Sequence, residues 1–123
     1  MTNRSLVVVV DDDESVRESL PHLLREFGFV AHAFSSAEEF LASELLGRTG
    51  CLILDVAMPG MTGPDLQDEL SRRRYAIPIV FITAHEDEAV PRRVLDAGAV
   101  ECLFKPFSGR ALREAVNTAL RAG

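Results

Sequence analysis

Three consecutive aspartates, Asp11, Asp12 and Asp13, followed by Glu14, close a run of valines in "VVVVDDDES". Two unit charges about 4 Å apart repel by roughly 4 kcal/mol at an effective dielectric near 20. Such a cluster either splays into water or surrounds something positive. Further along, Asp55, Thr83 and Lys105 each end a short apolar run as well. Clustered carboxylate oxygens suit a hard cation such as Mg²⁺, which keeps some waters and prefers carboxylates with phosphate. A Thr hydroxyl and a Lys ammonium both donate to phosphoryl oxygens. In that setting Asp55 can act as a carboxylate nucleophile towards phosphorus, with the cation and Lys105 neutralising developing charge. Taken singly, each residue has a plainer role. An aspartate after a strand ordinarily caps a helix, which suits Asp13 and Glu14 at the start of the first helix. Thr83 fits a strand, and Lys105 fits a solvated surface.

The elements that must position these residues follow from the apolar pattern. "LVVVV" (6–10), "CLILDV" (51–56), "IPIVFIT" (77–83) and "AVECLF" (99–104) are short, β-branched and nearly continuous. That pattern predicts strands covered on both faces. "FVAHAF" (29–34) alternates large and small side chains and predicts an edge strand. Between them, "DESVRESLPHLLREFG" places Val16, Leu20, Leu23, Leu24 and Phe27 on one helical face and ends at Gly28. Pro21 inside it predicts a bend or a lost hydrogen bond. "SSAEEFLASELLG" has a capping-box spacing from Ser35 to Glu38 and predicts a helix closing at Gly47. "TGPDLQDELSRRR" starts a third helix with Pro64 in its first turn. A short fourth helix lies near "DEAVPRRVLDAG", with Pro91 at its first turn or at a kink and Gly98 at its end. "SGRALREAVNTALRA" is the fifth, with Leu112, Val116 and Leu120 as its stripe.

Strand and helix thus alternate five times, which predicts one α/β domain over residues 1–123, with a parallel sheet and right-handed crossovers. Sites in such sheets form beyond the carboxyl ends of the strands. Asp11, Asp12, Asp55, the Thr83 hydroxyl and the Lys105 ammonium therefore converge on one rim.

Composition narrows the function classes. The chain has 123 residues, 47% apolar and 26% charged, a globular balance. A net charge of −6, from 19 acidic and 13 basic residues, argues against nucleic-acid or membrane binding by this domain. No apolar run approaches the roughly eighteen residues of a membrane span, and "MTNRS" followed by five apolar residues is no signal peptide. Cys51 and Cys102 lack metal spacing and lie in apolar runs, so both read as buried free thiols. A cytoplasmic location is the expectation. His22 and His32 have no partners in a ligand spacing and read as packing or surface residues.

The stretches "VVVVDDDESVRESL", "LILDVAMPGMTGPDL", "IPIVFITAH" and "AGAVECLFKPF" together resemble the receiver domain of bacterial two-component response regulators. They cover essentially the whole chain in order. A lone Asp pair would be weak; joined to D-x-x-MPG-x-x-G, Thr83-Ala84 and Lys105-Pro106-Phe107 it is very specific. "SVRESL", "CLILDV", "GMTG" and "FITAHED" are most similar to receivers of the FixJ type, whose members usually carry a helix-turn-helix domain after the receiver.

The resemblance implies a flavodoxin-like fold with strand order 2-1-3-4-5, in which the strand between Cys51 and Cys102 makes a disulfide implausible. It implies that Asp55 accepts a phosphoryl group from a sensor histidine kinase. Asp12, Asp55 and the Ala57 backbone carbonyl would hold Mg²⁺, or Mn²⁺ in its place, with Asp11 acting mainly through metal-bound water. Thr83 and Lys105 would contact phosphoryl oxygens, and Lys105-Pro106 would be a cis peptide. The domain would catalyse only its own phosphorylation and dephosphorylation. It would then switch a face formed by the fourth helix, fifth strand and fifth helix, controlling an attached or separate output, with homodimerisation through that face as one route. This chain alone would not bind DNA.

Two positions depart from the family pattern. Cys102 stands three residues before Lys105, where an aromatic switch residue is usual, and Phe104 and Phe107 are nearby but not equivalent. Pro91 stands in the fourth helix. Ala57, Ala84 and His85 flank the site and would tune phosphate lifetime or switching. Two other functions compete. A Mg²⁺-dependent phosphohydrolase with an aspartate nucleophile would need a second acid two residues after Asp55, where Ala57 stands. A degenerate, stand-alone receiver used only for protein binding would not need the intact set of Asp11, Asp12, Asp55, Thr83 and Lys105.

Overall fold

The computed structural model describes residues 6–84 and 89–122. β1 (Leu6–Val10), β2 (Val30–Phe34), β3 (Cys51–Asp55), β4 (Ile79–Thr83) and β5 (Glu101–Phe104) form one parallel sheet in the order β2-β1-β3-β4-β5. Among the described residues, five α-helices alternate with them: α1 (Glu14–Glu26), α2 (Ala37–Leu41), α3 (Gly63–Arg72), α4 (Ala89–Asp96) and α5 (Gly109–Ala122). The chain is a flavodoxin-like (βα)5 fold. Among the described residues, no helix is long and apolar enough to cross a membrane.

The strand period of two divides the core into two layers. Val7, Val9, Ile53, Val80 and Ile82 pack with Leu20 and Leu24 of α1 and Leu112 and Val116 of α5. Val8, Val10, Leu52, Leu54 and Phe81 pack on the other side with Phe40 of α2, Leu66 and Leu70 of α3 and Val94 of α4. Residues of the central strands are buried on both faces, which is why β1, β3 and β4 read as unbroken apolar runs. Cys51 and Cys102 fall in opposite layers and are both free. Burial pushes the Cys51 thiol up to about 12, so it is inert at neutral pH.

Local chemistry sets the helix ends. Asp13 caps α1 by accepting from the Ser15 N–H at 2.9 Å. Gly28 follows α1 with a φ of 94°, a left-handed conformation that favours glycine. The helix runs through Pro21, which is buried and cannot donate to the Arg17 carbonyl. α3 begins with a reciprocal capping box between Thr62 and Asp65, in addition to Pro64 in its first turn.

The second helix differs from expectation. Its cap is Ser36, which accepts from the Glu39 N–H, while Glu39 reaches back to Ser35. It ends at Leu41 rather than Gly47, leaving a separate 3-10 turn at Leu46–Arg48. The Ser43 hydroxyl takes the Leu45 N–H at 2.9 Å, and the Thr49 hydroxyl donates to the Leu45 carbonyl at 2.8 Å. Local side-chain bonds thus replace helical ones. In the fourth segment, Pro91 lies inside α4 and Gly98 follows its end, as expected; His85 lies outside the described residues.

Candidate functional site

The parallel sheet brings Asp11, Asp55 and Thr83 to one rim, at the carboxyl ends of β1, β3 and β4, with Lys105 directly after β5. Asp11, Asp55 and Thr83 are buried, at 0%, 7% and 2% exposure, whereas Asp12 points into solvent.

Asp11 is satisfied on every side. Its N–H donates to the Phe34 carbonyl at 3.2 Å, which ties the site to the end of β2. Its Oδ1 accepts from the Asp13 N–H at 2.9 Å, and its Oδ2 accepts from Lys105 Nζ at 3.1 Å. Its carbonyl accepts from Arg17 Nη1 at 3.1 Å. A buried carboxylate without such company would cost several kcal/mol. Lys105 Nζ also lies 3.9 Å from Asp55 Oδ1, an ion-pair distance too long for a hydrogen bond.

Carboxylate oxygens of Asp11, Asp12 and Asp55 lie within 4.8 Å of one another. This all-oxygen set fits a hard divalent cation of the Mg²⁺ class. The electrostatics agree. Burial, reinforced by the Asp11 charge, raises Asp55 from its ordinary 3.8 to about 7; Lys105 opposes the rise, Asp12 adds to it and the Ala57 N–H reduces it. A second positive charge among these carboxylates would relieve the repulsion that one ammonium leaves.

The backbone behind Asp55 is unusually close to α3. Gly63 N–H donates to the Val56 carbonyl at 3.1 Å, and a Cβ on Gly63 would meet the Asp55 carbonyl oxygen at 2.3 Å. The closing glycine of the D-x-x-MPG-x-x-G spacing thus lets α3 start against the strand end. β5 is held next to β4 by the Lys105 N–H, which donates to the Thr83 carbonyl at 2.8 Å, and the Lys105–Pro106 peptide is cis.

The flanking residues divide. Ala57 and Ala84 are exposed beside the rim. Cys102 is buried in the layer of Val94 and Phe81, so it fills core space towards α4. Phe104, which is 41% exposed, stands opposite Thr83 in the β4–β5 register. His22 and His32 lie on the surface, His22 beside Glu26 at 3.1 Å. Sequence reasoning did not single out two polar residues. Arg17 holds the Asp11 carbonyl, and Gln67 is buried and donates from Nε2 to the Val94 carbonyl at 3.0 Å, tying α3 to α4. No local spacing rule points to either of them.

The family model for the response regulator receiver domain matches residues 7–117. Nodulation protein W of Bradyrhizobium diazoefficiens is 45% identical over 118 residues, covering 96% of this chain and 52% of that protein. Among solved structures, the response regulator StyR is 48% identical with a TM-score of 0.89, over 95% of this chain and 59% of that one. FixJ-N is 38% identical with a TM-score of 0.88, over 94% of this chain and 93% of that one. The chain spans about half the length of the curated relatives it matches. It belongs to the response regulator receiver domain family.

Proposed function

We propose that residues 1–123 form one phosphoacceptor domain of a two-component regulator, with Asp55 as the residue phosphorylated. The observation that carries this reading is the buried Asp55 carboxylate, set among Asp11, Asp12 and Lys105 at the mouth of β3. An Asp55 oxygen attacks the phosphorus of a kinase phosphohistidine, the P–N bond breaks, and the imidazole nitrogen keeps the pair and takes a proton. Lys105 stands where it can pair with the transferred group, and the Thr83 hydroxyl joins it from the end of β4. Asp12, Asp55 and the Ala57 carbonyl would hold Mg²⁺ or Mn²⁺, with Asp11 behind them through water. The bound cation supplies positive charge that keeps the carboxylates ionised and offsets charge on the phosphoryl oxygens.

The domain modifies only itself. Phosphorylation shifts an existing equilibrium of the α4-β5-α5 face, read by an output that controls transcription or by a second copy of the chain. The setting is cytoplasmic. Ala57 and Ala84 leave the approach of water to the phosphoryl group open, and His85 adds a further tuning position.

The test is direct. Incubation with phosphoramidate and Mg²⁺ should add the mass of one phosphoryl group, mapped to the peptide containing Asp55. An adduct that persists in Asp55→Asn, or none in the wild type, would sink the reading. Steady hydrolysis of a phosphoester would instead favour a phosphohydrolase. Asp12→Ala should weaken Mg²⁺ binding by about tenfold or more, since it removes an exposed member of the carboxylate cluster. Its melting temperature without Mg²⁺ should equal or exceed that of the wild type, because like-charge repulsion is relieved. Unfolding of that variant would make Asp12 a structural acid.

A further inference from the structure

Asp12 is exposed, and among the described residues nothing hydrogen-bonds its carboxylate. Its direction is set instead by the two peptide groups that flank it. The peptide before it is held through the Asp11 carbonyl, which accepts from Arg17 Nη1 at 3.1 Å. The peptide after it is held through the Asp13 N–H, which donates to Asp11 Oδ1 at 2.9 Å. Fixing both neighbouring peptides fixes φ and ψ of Asp12, and with them the Cα–Cβ direction. One clamp comes from Asp11, a member of the carboxylate cluster itself. The other comes from Arg17, one helical turn into α1 and outside the cluster.

The Asp11 carbonyl needs this donor. β1 ends at Val10, and the parallel register with β2 and β3 also stops there. Among the described residues the carbonyl therefore has no ladder partner, and the half-buried Arg17 supplies a donor in its place. Across the loop, Glu39 of α2 is held below the ordinary carboxylate range, mainly by its bonds to Ser35 and in smaller part by the Arg17 charge.

We propose that Arg17 is a positioning residue for the cation site: it orients the peptide on which Asp12 is mounted and so holds the Asp12 carboxylate beside Asp11 and Asp55. The sign of its effect separates this role from bulk electrostatics. A cationic side chain near a cation site repels the cation. If charge alone mattered, removing Arg17 would tighten Mg²⁺ binding. If orientation matters more, removal weakens it.

The proposal rests on Asp12 being a cation ligand, and the experiment separates the two. Mg²⁺ titrations of the wild type, Arg17→Met and Arg17→Lys are followed by calorimetry, well below the unfolding transition. There the protein is fully folded, and a change in global stability does not move Kd. Met keeps the alkyl stem and the helix propensity but cannot donate. Its Kd should rise about tenfold, within the range seen when supports of metal ligands are removed. Lys, which can still donate, should recover part of the loss. An unchanged or lower Kd in Arg17→Met overturns the positioning role while leaving Asp12 as a ligand. A wild type that binds no Mg²⁺ overturns both. Should Arg17→Met fail to fold, Arg17→Leu, which also keeps an apolar stem and cannot donate, takes its place: a Kd raised about tenfold supports the proposal, and an unchanged or lower Kd overturns it.

Discussion

Gly63→Ala should destabilise the domain by about 3 kcal/mol and disable phosphorylation with it. Two effects oppose each other. Alanine is the better helix former by about 1 kcal/mol, and Gly63 opens α3. Propensity alone therefore predicts a gain. The new Cβ, however, would sit 2.3 Å from the Asp55 carbonyl oxygen, 3.1 Å from the Asp55 carbonyl carbon and 3.0 Å from Phe81 Cε1. Two of these atoms are backbone and the third belongs to a fully buried ring. Relief requires α3 to slide away from the end of β3, which carries Asp55. Urea denaturation should show the loss as a lower midpoint. Gly47→Ala is the control, because its Cβ would meet nothing within 4 Å, and it should stay within about 0.5 kcal/mol. A Gly63→Ala midpoint equal to the control would mean that α3 is not packed as tightly as described.

Asp55→Asn should stabilise the metal-free domain at alkaline pH and lose that advantage in acid. Burial and the Asp11 charge raise Asp55 from 3.8 to about 7 in the folded state. A carboxyl that binds its proton more tightly when folded favours folding below its unfolded pKa. Its stability contribution then declines as pH rises through the folded value, and above about pH 7 the full penalty is present. The shift corresponds to roughly 4 kcal/mol at about 1.36 kcal/mol per unit. That figure already contains the opposing pull of Lys105, and local relaxation with water penetration at the rim reduces the expected net gain to about 2 kcal/mol. Melting at pH 8 without Mg²⁺ should place Asp55→Asn about 8 °C above the wild type, and the two curves should converge near pH 4. Excess Mg²⁺ should stabilise the wild type and narrow the gap. A gap independent of pH would show that Asp55 is not strained by its neighbours.

Much of this arrangement was legible in local sequence. Strand and helix periods are short-range properties, so "LVVVV", "CLILDV" and "IPIVFIT" announced buried parallel strands, and the observed strands lie within them. The alternation implied the layers and the rim, and with them the meeting of Asp11, Asp55, Thr83 and Lys105. The second helix departs from the expected span because its extent hangs on a competition of small terms. "ASELLG" has adequate helix propensity, but the Ser43 and Thr49 hydroxyls offer the backbone other partners. Propensity sums do not contain those bonds.

What the sequence by itself determined was the fold class, the order of its elements and the chemistry assembled at one edge of the sheet. Only the tertiary structure distinguished the adjacent aspartates. Asp11 and Asp12 are the same residue type, yet one is wholly buried and the other exposed. The difference comes from Lys105, ninety-four positions away, whose ammonium meets Asp11 and leaves Asp12 to the solvent. The close seating of Gly63 and the clamp from Arg17 have the same origin. Burial, long-range pairing and backbone approach depend on the whole packed chain, and no local stretch carries them.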